Sequence, residues 1–420
     1  AAGLAFGIAS RLRERAARGV VPAACVLLGA LWPAWQGAFP SYAYDVEGAG
    51  LATEAPYNVL VVTLDALRRD HVSSYGYAKP TEALFERFGF TRFEDAVAVS
   101  SWTRPTTATI LTGLYPSTHG AVRLSNPLPA EAFTLAERLR DLGFATAHLA
   151  GTLNASAVFG MDQGALVTTG NPYAPPHPLA GTSLGEIVRR RAFDLQDARE
   201  LTGCASRFVE AVGAGRFALY LHYDDPHTPY DPPPQILQRW SQPFAGRDFK
   251  MPRRDLGMTE PEVRHLLERY DGDIDNAFAS LARLLDQLAR SGQLARTLVI
   301  VSADHGESFG ERGQWDHSTT PYEELLRIPL FVRPPDELPR VPSVAATACQ
   351  IDFVPTVLDY LGLAVPAELP GQSLRPWIEG REVGAERLLL AECHGLTEWS
   401  CRRGPWKVIA KDDGSALRLF

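Results

Sequence analysis

The segment Asn58–Leu64, NVLVVTL, shows no alternation of apolar and polar residues. A strand with one wet face alternates, whereas a strand buried on both faces reads as a continuous β-branched run. Similar runs recur as FATAHLA (Phe144–Ala150), FALYLHY (Phe217–Tyr223), TLVIVSA (Thr297–Ala303) and IPLFVRP (Ile328–Pro334). Segments of helical period separate them. AFTLAERLRDLG stops at Gly143, and the stretch from Thr259 to Gly292 is amphipathic, with a break expected near Gly272. Strands alternating with helices predict an α/β domain built on a mixed, mainly parallel sheet between helices. After Pro370 the pattern changes to short segments, RLLLAECHG and PWKVIAK, which predict a small antiparallel C-terminal subdomain cut short by the chain end.

The N-terminal part reads differently. From Gly19 to Tyr44 there is no charged residue, although Pro22 and Pro33 interrupt the run. A spanning helix needs about 20 mostly apolar residues. Trp32, Trp35, Tyr42 and Tyr44 suit an interfacial aromatic belt, and Arg11, Arg13, Arg15 and Arg18 precede the run. Basic residues favour the cytoplasmic side, so residues 1–44 are expected to be the remnant of a membrane anchor, with the catalytic domain extracytoplasmic, that is periplasmic or extracellular. The competing reading is an apolar linker packed on the soluble domain. Residues 45–56 read as a linker, 57–370 as the main α/β domain and 371–420 as the C-terminal subdomain. The net charge of −8 and the lack of a basic stripe argue against a nucleic-acid partner. The five cysteines show no zinc spacing. Cys393 and Cys401 are close enough to pair in an oxidising compartment, and free buried thiols are the alternative.

In open α/β sheets, ligands bind beyond the carboxyl ends of the strands. Asp65 follows the first run, Asp224, Asp225 and His227 follow the third, and Asp304 and His305 follow the fourth. A lone Asp after a strand is usually a cap or turn. Acids and histidines at three strand ends instead suggest a divalent metal held by oxygen and imidazole.

Five motifs occur in order: NVLVVTLDALRRD, TRPTTATILTGLYPSTHG, LHYDDPHTPYDPP, SADHGESFGERGQWDHSTTPYEELLRIPLFVRPP and DFVPTVLDYLGLAVPAELPGQSLRPWIEG. Together they resemble the sulfatase family of the alkaline phosphatase superfamily, from about Asn58 to the end. The resemblance implies one divalent metal beside a nucleophile at a helix start. It implies Asp65, Asp304 and His305 as metal ligands, with Ala66 where many members carry a second acid. The histidine at 305 favours Zn²⁺ or Mn²⁺ over the oxygen-only Ca²⁺ site of many sulfatases. His227 and His317 match histidines beside the transferred group, and Arg123 lies near a basic substrate contact.

True sulfatases carry Cys-x-Pro-Ser-Arg, or Ser for Cys, and oxidise that residue to formylglycine. The matching stretch is Thr103-Arg104-Pro105-Thr106-Thr107. Threonine is not the usual precursor, and Thr107 replaces the arginine that holds formylglycine, so no formylglycine is expected. Thr103 is instead expected to act directly, as both nucleophile and metal ligand, since metal coordination makes its alkoxide accessible. A helix starting near Pro105 would aim free N–H groups at an anionic substrate, with Thr106 lining that start. The expected activity is hydrolysis or transfer of phosphate esters, phosphodiesters above all, or sulfate esters. The substrate is expected to be a small-molecule, lipid or glycan ester. The alternatives are a sulfatase working without formylglycine and an inactive membrane-tethered binding protein. Segments 154–201 and 232–261, rich in Gly, Pro and Arg, are where specificity is expected.

Overall fold

The structure is a computed structural model and describes residues 46, 49–50, 53–169, 197–252, 257–381 and 386–420. Eight strands form the main sheet: β1 (Asn58–Leu64), β2 (Thr91–Val97), β3 (Ala145–Ala150), β4 (Val167–Thr168), β5 (Phe217–Tyr223), β6 (Thr297–Ala303), β9 (Leu330–Arg333) and β10 (Ser343–Cys349). Their order is β10-β2-β9-β6-β1-β5-β3-β4. Every pairing is parallel except those of β9, which runs antiparallel to β2 and β6. The mixed, mainly parallel sheet expected from the apolar runs is therefore the one observed.

β1 occupies the middle, between β5 and β6, in register Leu64↔Tyr223 and Leu64↔Ala303. Every residue of these three strands is buried, so both faces of the sheet are covered there. Because the three run parallel, their carboxyl ends emerge side by side. Asp65, Asp224 and Asp304 each follow the last residue of one of them.

Five helices matter to the argument: α1 (Thr103–Thr112), α2 (Leu135–Asp141), α3 (Ala198–Val212), α4 (Glu260–Arg290) and α5 (Phe353–Tyr360). Thr134 and Glu137 form a capping box at the start of α2, and Thr259 and Glu262 form one at the start of α4. The break expected at Gly272 does not occur, and α4 is continuous through it. The glycine serves packing instead: a Cβ at 272 would lie 2.8 Å from Pro232 Cγ.

The C-terminal sheet is an antiparallel meander of β11 (Leu388–Glu392), β12 (Glu398–Arg403), β13 (Trp406–Lys411) and β14 (Leu417–Leu419). It begins later than residue 371. Residues before it still belong to the main layer, where Val341 N–H donates to the Ile378 carbonyl at 2.8 Å. Glu392 N–H donates to the Val99 carbonyl at 2.7 Å, which joins the small sheet to the loop before α1.

Cys393 and Cys401 are free thiols. Cys401 pairs in register with Leu390, and alternation along the strand places Cys393 on the other side. There the Cys393 thiol meets the Ser101 hydroxyl at 3.5 Å. The expected membrane segment, the linker start and most of the expected specificity stretch 154–201 lie outside the described residues. Among the described residues no helix is long and apolar enough to cross a membrane.

Candidate active site

Helix α1 carries the hydroxyl-rich stretch, and all ten of its residues are buried. Two of its threonines satisfy themselves on the helix's own backbone. Thr106 Oγ1 donates to the carbonyls of Trp102 and Thr103 at 2.9 and 2.8 Å, and Thr112 Oγ1 donates to Ala108 at 2.7 Å. Thr106 was expected to line the helix start beside the substrate, and its proton is committed to that helix start, where it braces α1. Arg104 fixes the same end from outside. Its buried guanidinium donates to the carbonyls of Arg123 and Leu124, both at 2.7 Å, and to Asn154 Oδ1 at 2.8 Å.

Thr103 is the first residue of α1 and is 1% exposed. Its Oγ1 is 3.2 Å from His305 Nε2 and 3.5 Å from Asp65 Oδ2. The backbone N–H groups of Thr103 and Arg104 have no intrahelical carbonyl, as at any helix start, and Pro105 has no N–H to lose. The hydroxyl thus lies where the helix end favours negative charge.

Asp65, Asp304 and His305 offer ligand atoms within 4.8 Å of one another, and all three are fully buried. Asp304 Oδ1 accepts from Ala66 N–H at 3.0 Å and from His305 N–H at 2.7 Å. The other oxygen, Oδ2, is buried with no hydrogen-bond partner, and so is Asp65 Oδ1. Two buried, unpartnered carboxylate oxygens facing one cluster are costly unless a cation joins them. His305 Nδ1–H donates to the Gly306 carbonyl at 2.8 Å, which leaves the Nε2 lone pair for the cluster. The donor set therefore fits a divalent metal, and Thr103 Oγ1 lies beside it.

Ala66, where the resemblance has a second acid, adopts φ 59°, a left-handed conformation that is costly for alanine. Tyr270 of α4 holds it there. Its hydroxyl donates to the Ala66 carbonyl at 2.7 Å and accepts from Arg68 N–H at 2.8 Å. The strained turn is what aims Ala66 N–H at Asp304.

His227 and His317 lie beside the cluster. The His317 ring centroid is 4.4 Å from that of His305 and 5.1 Å from that of His227. His227 Nδ1–H donates to the Thr228 carbonyl at 2.7 Å. Burial opposes its charge, but Asp65, Asp224 and Glu307 outweigh burial and raise its pKa to about 9. Asp65 shows the converse: burial disfavours its charge, yet His227, His222 and His305 hold the carboxyl well below the usual range. Burial and the nearby Asp65 raise the Asp304 carboxyl. Burial also raises Asp224, to about 7.

The Arg123 side chain is exposed and passes Gly395 of the small subdomain, where a Cβ would lie 3.7 Å from Arg123 Nε.

Two buried residues were not singled out in the sequence. His222 on β5 lies 3.3 Å from Asp65 Oδ2 through Nε2 and 2.8 Å from Thr63 Oγ1 through Nδ1. An imidazole inside an otherwise apolar strand was the available signal. Glu307 is fully buried beside His317, and its signal was an acid two residues past His305.

The Sulfatase family profile matches residues 57–363. The N-acetylglucosamine-6-O-sulfatase of Bacteroides thetaiotaomicron is 29% identical over 150 residues, which is 35% of this chain and 27% of that protein. The choline-sulfatase of Rhizobium meliloti is 27% identical over 230 residues, 53% of this chain and 39% of that protein. The chain thus spans less than half the length of either relative. Among solved structures, the phosphonate monoester hydrolase of Agrobacterium radiobacter superposes with a TM-score of 0.68 at 18% identity, covering 87% of this chain and 89% of that one. The structure of BT4656 in complex with D-glucosamine-2-N,6-O-disulfate gives a TM-score of 0.66, also at 18% identity, and covers 87% and 91%. At such identity the structural likeness speaks for the fold. The family profile covers most of the chain, and the chain belongs to the sulfatase family.

Proposed function

We propose that this chain cleaves or transfers anionic esters, phosphodiesters in the first place, with Thr103 as a direct nucleophile in a metal-dependent site. The observation that carries this reading is the convergence of Thr103 Oγ1 on His305 Nε2 and Asp65 Oδ2, next to two orphaned buried carboxylate oxygens. A helix cap would need none of these neighbours. Asp65, Asp304, His305 and Thr103 would hold the metal, with Zn²⁺ or Mn²⁺ favoured by the imidazole and Ca²⁺ the alternative. When bound, it supplies Lewis acidity that polarises a non-bridging oxygen and lowers the pKa of the threonine hydroxyl.

The chain's own residues do the rest. Thr103 Oγ forms a bond to phosphorus as the bond to the leaving oxygen breaks. The threonine proton passes to solvent, and the N-terminal end of α1 favours the anionic group in place. His227 and His317 present N–H groups to the equatorial oxygens or to the departing oxygen. Water or an acceptor alcohol then attacks phosphorus, and the bond to Thr103 breaks.

Sulfate esters are the second reading, favoured by relatives whose names carry that activity. Kinetics with matched aryl phosphodiester, phosphate monoester and sulfate ester separate the two, and a clear preference for sulfate overturns the phosphodiester assignment. The names of the two relatives support a small-molecule or glycan ester as substrate, and a lipid ester is the alternative. The uncharged run Gly19–Tyr44 behind four arginines supports a membrane tether with the domain outside the cytoplasm. Fractionation with protease accessibility in intact cells tests it, and a fully soluble, protected protein overturns it.

A further inference from the structure

Glu307 is a fully buried carboxylate whose side-chain partners, among the described residues, include no lysine or arginine. Its Oε1 is 3.3 Å from His317 Nδ1 and accepts from Ser308 N–H at 3.3 Å. Its Oε2 accepts from the Tyr230 hydroxyl at 3.0 Å. A buried carboxylate is expensive without a cationic partner, and the group placed to relieve it is His317.

The backbone enforces this meeting. β7 (Ser308–Phe309) and β8 (Trp315–Asp316) pair antiparallel, with Ser308 opposite Asp316. The next step along the same ladder sets Glu307 opposite His317. On the far side of His317, Ser318 N–H donates to the Ser101 carbonyl at 2.7 Å, two residues before Thr103. The hairpin thus delivers one histidine against the nucleophile loop and one acid behind it. Asp316 also approaches Nδ1, at 3.1 Å, but its side chain is 64% exposed and water competes for it. Glu307 is dry.

We propose that Glu307 is the positioning residue that holds His317 with Nδ1–H turned away and Nε2–H toward the departing oxygen. His317 is then the proton donor to the leaving group. This rests on the ester-cleaving reading above. The carboxylate acts by fixing the ring and balancing the charge of its doubly protonated form, so that the Nε2 proton leaves with the departing oxygen while Nδ1–H stays directed at Glu307.

The test uses the purified chain and a series of aryl methyl phosphodiesters, from a 4-nitrophenyl to a benzyl leaving group. Glu307→Leu is expected to lower kcat about 100-fold for the benzyl ester and only a few-fold for 4-nitrophenyl, whose anion needs no proton. KM and bound metal stay unchanged. Glu307→Gln, which keeps an acceptor, should fall between. Glu307→Leu added to His317→Asn should cost nothing further. An equal loss across the series in Glu307→Leu, with a leaving-group-dependent loss in His317→Asn, overturns the role of Glu307 alone. A flat series in His317→Asn overturns the proton-donor reading and this inference with it. Loss of a metal equivalent in Glu307→Leu shows that Glu307 and His317 hold a second cation and also overturns it. Imidazole ¹H–¹⁵N spectra check the geometry without turnover. The wild-type His317 should show a protonated Nδ1 that Glu307→Leu alters, and an unchanged His317 pattern overturns the proposal.

Discussion

His222 Nε2 lies 3.3 Å from Asp65 Oδ2, while its Nδ1 meets Thr63 Oγ1 at 2.8 Å and Tyr220 Oη at 3.1 Å. Thr63 and His222 are register partners on β1 and β5, so a cross-strand pair in the sheet interior braces the aspartate at the strand end. A ligand braced in this way should bind metal more tightly. His222→Ala is expected to weaken Zn²⁺ affinity on the order of 10- to 100-fold, measured by competition with a chromogenic chelator. Affinity equal to wild type would show that Asp65 needs no brace.

Asp304 and Asp65 are expected to repel each other in the metal-free chain, because each leaves one buried oxygen unpartnered. Asp304→Asn keeps an acceptor for Ala66 N–H and His305 N–H and replaces the orphan oxygen with a donor. The metal-free variant should therefore have a higher Tm than the metal-free wild type, by about 1–3 kcal/mol of stability. Added Zn²⁺ should raise the wild-type Tm and leave the variant unmoved. Thermal denaturation with and without metal decides it, and an equal rise in both proteins would count against the cluster as a metal site.

His119 holds α1 by its first turn. Its Nε2–H donates to the Pro105 carbonyl at 3.1 Å and its Nδ1 accepts from Ala121 N–H at 3.1 Å, an arrangement of the neutral ring. Burial pushes its pKa down to about 4, and likewise that of His148. In the unfolded chain both take up a proton near pH 6.5. The stability they hold is thus complete above about pH 6.5 and lost as pH falls toward 4, up to about 3 kcal/mol for each. Urea unfolding across that window should show the decline, and His119→Gln should flatten it. A slope unchanged by the substitution would assign the acid sensitivity elsewhere.

Gly272 tests whether a helix-interior glycine is a weak point or a packing requirement. Alanine gains about 1 kcal/mol of helix propensity, but its Cβ would lie 2.8 Å from Pro232 Cγ. Gly272→Ala is expected to lower stability by a net 1–3 kcal/mol, roughly the cost of overpacking. A raised urea midpoint would mean the 232 loop yields.

The runs at β1, β5, β6 and β9 were legible because strands covered on both faces tolerate little but apolar residues. β2 was not: TRFEDAV carries Arg92, Glu94 and Asp95, whose charges are met by the Arg92–Glu94 pair and by Arg402 at 3.0 Å from Asp95. β10, SVAATAC, is an edge strand of small residues and offers little signal. Asp65, Asp304 and His305 stood out because they follow buried strands, where ligands collect, whereas Thr103 stood out only through its place in the family motif. Their partners were hidden for a physical reason. His222, Tyr270 and Glu307 act from inside a strand, a long helix and a hairpin, and only tertiary register brings them to the site. Thr106 braces the helix start that it was expected to line, because a hydroxyl there serves the backbone as readily as a ligand.

The central claim is that Thr103 attacks the substrate directly. Intact-mass and peptide mass spectrometry of the metal-loaded chain, quenched during turnover of an aryl methyl phosphodiester, addresses it. A phosphoryl-ester adduct on Thr103, absent with Thr103→Ala alongside loss of turnover, is the predicted result. Undiminished turnover by Thr103→Ala, or an adduct on another residue, would contradict the account.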